Sequence, residues 1–400
     1  MTKGRLRTDR SEKVKMTEQK LSRRDFLRLS GRAGAGLVAY GVNIPFQQIT
    51  PDLGQTPVVR TPEPMATPEY EQLPMEFGFN THLHAEPGLN QNLDLEQFKR
   101  SVDFLVQNNM QWIRFDIRED QVINMSGTTH MNWKERSLET YAEALDYAKS
   151  RGLKTIVPIA VPGGITQGLT HEEYIIFAGN FYGELAQQMQ GKIDIWQIFN
   201  EPDVHNYRNY GEEFREMPEE YLQNFAEVVA VASNAIHAVD PNTQTTVNMS
   251  WWFASGRDLQ NEGRRLFGVV ADSIDVITLD FYPDVNLEAI IQMPQIISDF
   301  SAEFHKPVIV GELGLPTSRF SEEDQGKYMG LAIGMLRSAP TQPQAVLLYE
   351  LVDQQAISGN EGSFGFLDAA GTPKASWEMI QPWIDPPEVE NGEPTPTAVG

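Results

Sequence analysis

Trp196-Gln197-Ile198-Phe199-Asn200-Glu201-Pro202 is an apolar run that ends on a carboxylate and is closed by proline. A short run of this composition, bounded by Asn and Pro, predicts a buried strand. A second segment, Val308-Ile309-Val310-Gly311-Glu312-Leu313-Gly314, also ends its apolar run on a glutamate, 111 residues beyond the first. Whether the two glutamates can face each other depends on the segments around them.

The same pattern repeats outward in both directions. Apolar runs at Met75 to Asn80, Trp112 to Ile117, Thr155 to Ile159, Ile193 to Asn200, Thr245 to Met249, Val276 to Phe281, Val308 to Glu312 and Ala345 to Tyr349 predict eight strands. Longer stretches of helical periodicity alternate with them: Leu95 to Gln107, Leu138 to Lys149, Glu172 to Met189, Glu219 to Val239, Leu259 to Val270, Leu287 to Phe304, Glu322 to Leu336 and a shorter one near Trp377. Thr170 with Glu173 and Ser321 with Asp324 have the spacing of helix starts; Gly152 and Pro241 serve as stops.

Eight strand-then-helix units within 75–384 predict an α/β fold, a closed (β/α)8 TIM barrel. An open doubly wound sheet is the rival. No G-x-G-x-x-G follows the first strand and no Walker A sequence occurs, so its nucleotide-binding versions lack their phosphate loops. In a barrel the reaction centre sits where strands end. Glu201 closes the fourth strand and Glu312 the seventh, on opposing parts of the ring, so their side chains can converge across its mouth. Two facing carboxyl groups are what cleavage of a sugar acetal requires: one protonates the leaving oxygen and the other attacks the anomeric carbon.

With Asn200-Glu201-Pro202 ending one strand and Gly311-Glu312 another, the chain resembles clan A of the retaining glycoside hydrolases, especially family 5-like cellulases and mannanases. The resemblance covers the whole barrel. It implies Glu201 as general acid/base, Glu312 as nucleophile and Asn200 as the residue that holds the sugar 2-hydroxyl. Arg114, a costly charge in an apolar strand, is similar to the arginine that pairs with the nucleophile in the clan. Tyr282 matches a tyrosine that hydrogen-bonds the nucleophile. The stretch from Gly365 to Lys374 looks like the clan's final loop before its last helix.

Other candidates rest on their own chemistry. His82 and His84 follow the first strand, where a neutral imidazole can hydrogen-bond a sugar hydroxyl or simply satisfy the local structure. Trp133, Tyr207, Trp251 and Trp252 lie in or near strand-end loops, where flat rings can stack on pyranoses or pack in the core. The Trp251-Trp252 pair is the best platform, and Glu350 is a candidate substrate-binding carboxylate. Two positions depart from the family pattern: Asp280 stands where family 5 commonly has histidine, and no tryptophan occurs at Tyr349 or Glu350. No cofactor and no catalytic metal are expected.

Outside the barrel the composition changes. Residues 1–32 hold 11 Lys/Arg and 4 Asp/Glu, and the remainder carries 21 basic against 51 acidic residues, a net −30. A field of that sign repels nucleic acid and anionic lipid and suits a neutral polysaccharide; it also serves solubility. The absence of cysteine excludes disulfides and thiolate chemistry. Ser22-Arg23-Arg24-Asp25-Phe26-Leu27 before the apolar run from Ala33 to Ile44 resembles a twin-arginine export signal.

The expected organisation is therefore 1–49 signal segment, 50–74 Pro/Thr-rich linker, 75–384 catalytic barrel and 385–400 disordered acidic tail. The export machinery and a glycan are the expected partners of a monomer outside the cytoplasmic membrane, tethered to it if the signal stays uncleaved. The leading reading is an exported retaining hydrolase of a β-linked glycan. A carbohydrate-binding pseudoenzyme and a transglycosylase of the same fold are its rivals.

Overall fold

The computed structural model describes residues 75–83, 93–124, 131–161, 166, 168–214, 216–354 and 359–385. The expected signal segment, the linker, His84 and the tail from 386 onward lie outside them. Eight parallel strands form one closed barrel: β1 (Glu76–Asn80), β2 (Trp112–Arg114), β3 (Lys154–Ile159), β4 (Ile195–Ile198), β5 (Gln244–Trp252), β6 (Val276–Tyr282), β7 (Val308–Leu313) and β8 (Ala345–Leu348). Each pairs with the next in sequence, and β8 closes on β1.

Helices α1 (Leu95–Gln107), α2 (Glu135–Ser150), α3 (His171–Gln188), α4 (Glu219–Val239), α5 (Leu259–Val270), α6 (Leu287–Phe304), α7 (Glu322–Arg337) and α8 (Ala375–Ile384) follow the strands in turn. The barrel expected from the sequence is thus the fold observed. Thr170 and Glu173 form a reciprocal capping box at the start of α3, and Ser321 accepts from the Asp324 amide at the start of α7. These bonds satisfy amides that have no partner inside the helix. No helix among the described residues is long and apolar enough to cross a membrane.

Strand alternation splits the core in two. Residues facing the helices, such as Phe79, Ile113, Val157, Val247, Val310 and Leu348, join one large apolar cluster with the helix faces. Residues facing inward at the strand starts, including Trp112, Ile156, Ile195, Val276 and Ile309, form a separate plug that fills the barrel floor. Gly78 makes room for Trp112, because a Cβ there would lie 2.2 Å from the Trp112 carbonyl oxygen. Above the plug the inward positions turn polar, and the site begins.

The chain also carries elements that periodicity did not predict. A short helix (Glu119–Val122) follows β2, and a two-stranded hairpin pairs His205–Asn206 with Asn209–Glu213 between β4 and α4. β4 stops at Ile198, short of the expected Asn200, because Phe199 leaves the strand with φ of 68°. β5 runs past the expected Met249 to Trp252, which puts both tryptophans on the sheet rather than in a loop.

Candidate active site

Arg114 organises the polar layer. Its side chain is 5% exposed, and every nitrogen is occupied: Nε donates to Gln197 Oε1 (2.9 Å), Nη2 to Asn200 Oδ1 (2.9 Å), and Nη1 to both Asn80 Oδ1 and Glu312 Oε1, the latter at 2.7 Å. A buried guanidinium is tolerable only when paired and fully hydrogen-bonded in this way. Burial disfavours its charge, but Glu312 and Asp280 outweigh that and raise its pKa.

Glu312 is therefore the saturated carboxylate. Arg114 takes one oxygen and the Tyr282 hydroxyl donates to the other. Its position depends on an irregularity in β7. Leu279 pairs with Val310, yet the next residue, Asp280, pairs with Glu312, so Gly311 is an extra residue in the ladder. Only glycine fits there, since a Cβ would meet Thr278 Cγ2 at 2.4 Å and Asp280 Oδ1 at 2.7 Å. Asn80 Nδ2 accordingly reaches the Gly311 carbonyl at 2.8 Å.

Glu201 has the opposite surroundings. It is 1% exposed, and its carboxyl oxygens make no well-formed hydrogen bond among the described residues, the Ser250 hydroxyl being a weak neighbouring donor. Its backbone is left-handed (φ 47°), a conformation costly for a non-glycine residue and found where surrounding structure enforces it. The enforcement is visible: Asn248 Oδ1 accepts the Glu201 amide at 2.8 Å, and the Glu201 carbonyl accepts from Val204 and His205. Burial, then the charges of Glu312, Asp280 and Asp203, push the Glu201 carboxyl well above its usual range. A carboxyl group kept protonated in this way is suited to give a proton.

Asn200 links the two. Its Oδ1 accepts from Arg114, Gln197 and Asn248, while its Nδ2 is buried and unpartnered among the described residues, a donor held ready for an incoming hydroxyl. Across the lumen, one oxygen from each of Glu201, Asp280 and Glu312 lies within 4.8 Å of the others. Arg114 sets a fixed cation against the Glu312 member of this trio.

Comparison with known proteins places the chain in a family. The model of the family described as Cellulase (glycosyl hydrolase family 5) matches residues 71–338. The chain belongs to that family. That family is one of retaining glycoside hydrolases.

Among solved structures, it is similar to a subfamily 18 member of family 5 from Streptomyces cattleya in complex with Manb1-4GlcNAc, with TM-score 0.63 and 14% identity over 80% of this chain and 83% of that one. A subfamily 18 enzyme from Bifidobacterium longum subsp. infantis gives TM-score 0.61 and 12% identity over 78% of each chain. At such identities the likeness is one of fold. The sequence is also 26% identical over 115 residues to an arabinogalactan endo-beta-1,4-galactanase of Cellvibrio japonicus. That match spans 29% of this chain and 28% of the galactanase.

The remaining candidates divide on this family 5 frame. His82 stands at the mouth with Nε2 3.0 Å from Glu350 Oε2 and Nδ1 3.3 Å from Asp116 Oδ1. Burial opposes its charge, but hydrogen bonds to Asp116 and Glu350 win and push its pKa up to about 10. The neutral imidazole expected for His82 is thus replaced by an imidazolium between two carboxylates. Glu350 follows β8, buried, with Oε1 unpartnered among the described residues.

Trp251 requires a correction. It is 2% exposed, points to the helix side of β5 and packs on Phe281 and Phe300, so it cannot stack on a sugar. Trp252, one residue on, faces the lumen beside Tyr282, Tyr349 and Phe364. Tyr207 is core, packed against Tyr174, Tyr221 and Phe225, and Trp133 stacks on Phe181. Gln197 and Asn248, absent from the expected set, are polar residues in apolar strands like Arg114; applied to them, the reasoning that singled out Arg114 would have found both.

Proposed function

We propose that the protein hydrolyses a β-linked glycan by double displacement, with Glu312 as nucleophile and Glu201 as acid/base. The observation that carries this is the approach of their carboxyl oxygens to within 4.8 Å. Retaining glycosidases hold the two groups about 5–5.5 Å apart, whereas inverting ones leave about 6.5–9.5 Å for a water. In the first step a Glu312 oxygen bonds to the anomeric carbon as the glycosidic bond breaks, and the Glu201 proton passes to the leaving oxygen. In the second, water gives a proton to Glu201 and its oxygen displaces Glu312 from the sugar. Asn200 Nδ2 meets the 2-hydroxyl, and Trp252 offers a ring face at the mouth.

The surroundings fit the roles. Arg114 and Tyr282 both donate to Glu312, which suits a group that must carry negative charge while it attacks. The complete set of acid, nucleophile and positioning residues argues against a pseudoenzyme. The paired arginines near the N-terminus support export by the twin-arginine route, with the barrel acting outside the cytoplasmic membrane.

Glu312→Ala is the direct test. It is expected to abolish hydrolysis of an aryl β-glycoside, and added azide to restore turnover with formation of the α-glycosyl azide. Wild-type turnover by this variant rules the assignment out.

A further inference from the structure

Asp280 has no task in the double displacement just described, yet it lies inside the site. It stands directly opposite Glu312 in the β6–β7 ladder and is fully buried. One oxygen takes a hydrogen bond from Asn248 Nδ2; the other, Oδ1, is unpartnered among the described residues. Asn248 in turn binds the Glu201 amide and the Asn200 side chain. Asp280 therefore touches the mount of the acid as well as the acid's electrostatic surroundings.

Three carboxyl groups within 4.8 Å, cut off from water, cannot all be ionised, because like charges at that range repel strongly in a low dielectric. The neighbouring groups decide which of them keep protons. From β2, Arg114 is bonded to Glu312. From β6, the Tyr282 hydroxyl is also committed to Glu312. Behind Glu201, Asp203 is answered by Arg257 at 2.8 Å. The hydrogen bonds of the cationic and phenolic donors thus go to Glu312 and Asp203, and Arg114 acts on Asp280 only through space, too weakly to offset burial and the Glu312 charge. Glu201 and Asp280 are left close together with no cation bonded to either, and with only the neutral donors Ser250 and Asn248 beside them, so that protons carry most of their neutralisation.

We propose that Asp280 is a positioning residue for the acid/base step: it forms a proton-sharing pair with Glu201 and anchors Asn248, so that Glu201 stays in its acid form as the pH rises. The two groups titrate as one system, and loss of a proton from either makes loss of the second harder. Burial and the Glu312 charge push the Asp280 carboxyl well above its usual range, as they do Glu201. A histidine at this position could not share a proton with Glu201 without placing a positive charge beside it.

The inference rests on Glu201 as the acid/base of the proposed function, and its test does not depend on turnover. Protein labelled with 13C at the glutamate carboxyl carbon is titrated by NMR, with the Glu201 signal assigned from Glu201→Gln. Asp280→Asn keeps the shape and the acceptor for Asn248 but cannot ionise. The Glu201 midpoint is expected to fall by about one pH unit or more, with a coupled two-step curve becoming a single step.

Asp280→His, read in the same way, serves if the Asn variant does not fold, and it should lower the midpoint further. An unchanged midpoint overturns the proposal, as does a loss of kcat that is uniform in pH with the Glu201 midpoint unmoved. A lowered midpoint in a protein that cleaves no glycoside supports the pair and removes the hydrolase reading instead.

Discussion

Glu201 and Glu312 are the same residue at the ends of two strands of one barrel, and their surroundings are opposites. Around Glu312 both oxygens are taken, by a guanidinium and a phenol. Around Glu201 neither is taken, and the charged groups nearest to it are carboxylates. The strands deliver position and the neighbours deliver chemistry: in the proposed mechanism donors suit Glu312 to attack, and deprivation of donors suits Glu201 to give up a proton.

The strongest way to break that contrast is Glu201→Gln. It should lower kcat/KM about 100- to 10,000-fold for substrates with poor leaving groups. An aryl glycoside whose phenol leaves without protonation should lose far less in the glycosylation step, and equal losses on both substrates would end the distinction. Tyr282→Phe probes the other side. Removing one hydrogen bond to a charged oxygen is expected to cost about 10- to 100-fold in kcat. The loss should be the same for both leaving groups, because the nucleophile attacks in either case; steady-state kinetics on the pair of substrates separates the two patterns.

The smallest effect concerns a third carboxylate environment, in which Glu350 is paired with His82. Since the folded pKa of His82 lies near 10 and the unfolded one near 6.5, the folded state holds the extra proton. Its stabilisation is fully present below about pH 6.5 and is lost as the pH rises through about 10. Urea denaturation at pH 6 and pH 10 should show a larger loss of stability in the wild type than in His82→Gln.

Much of this was legible in the sequence because the barrel is built from local periodicity. All eight strands and eight main helices follow from apolar runs and cap spacing, and α1, α4, α5 and α6 keep the expected ends. Glu201 and Glu312 were recognisable as carboxylates that end apolar runs, Arg114 as a charge within one, and Tyr282 through its resemblance to a family tyrosine. What escaped depended on register. Trp251 and Trp252 are chemically identical neighbours, and only the pairing of β5 with β6 decides which faces the lumen. The hairpin after β4 has no apolar repeat to announce it. Gln197 and Asn248 are uncharged, so their burial carries a weaker signal than a buried arginine, although they hold Asn200 and the Glu201 backbone in place.

The extra residue in β7 has a further consequence, which is one of parity. Ile309 points into the floor plug and Val310 toward the helices. By strict alternation 311 would point in and 312 out. The slip at Gly311 inverts the count, so that Glu312 turns inward and Leu313 resumes the outer face. Were Gly311 to take a regular place in the ladder instead of slipping, the Glu312 carboxylate would point into the helical shell. The carboxylate proposed to bond to sugar thus owes its inward direction to a single break in the alternation of its strand.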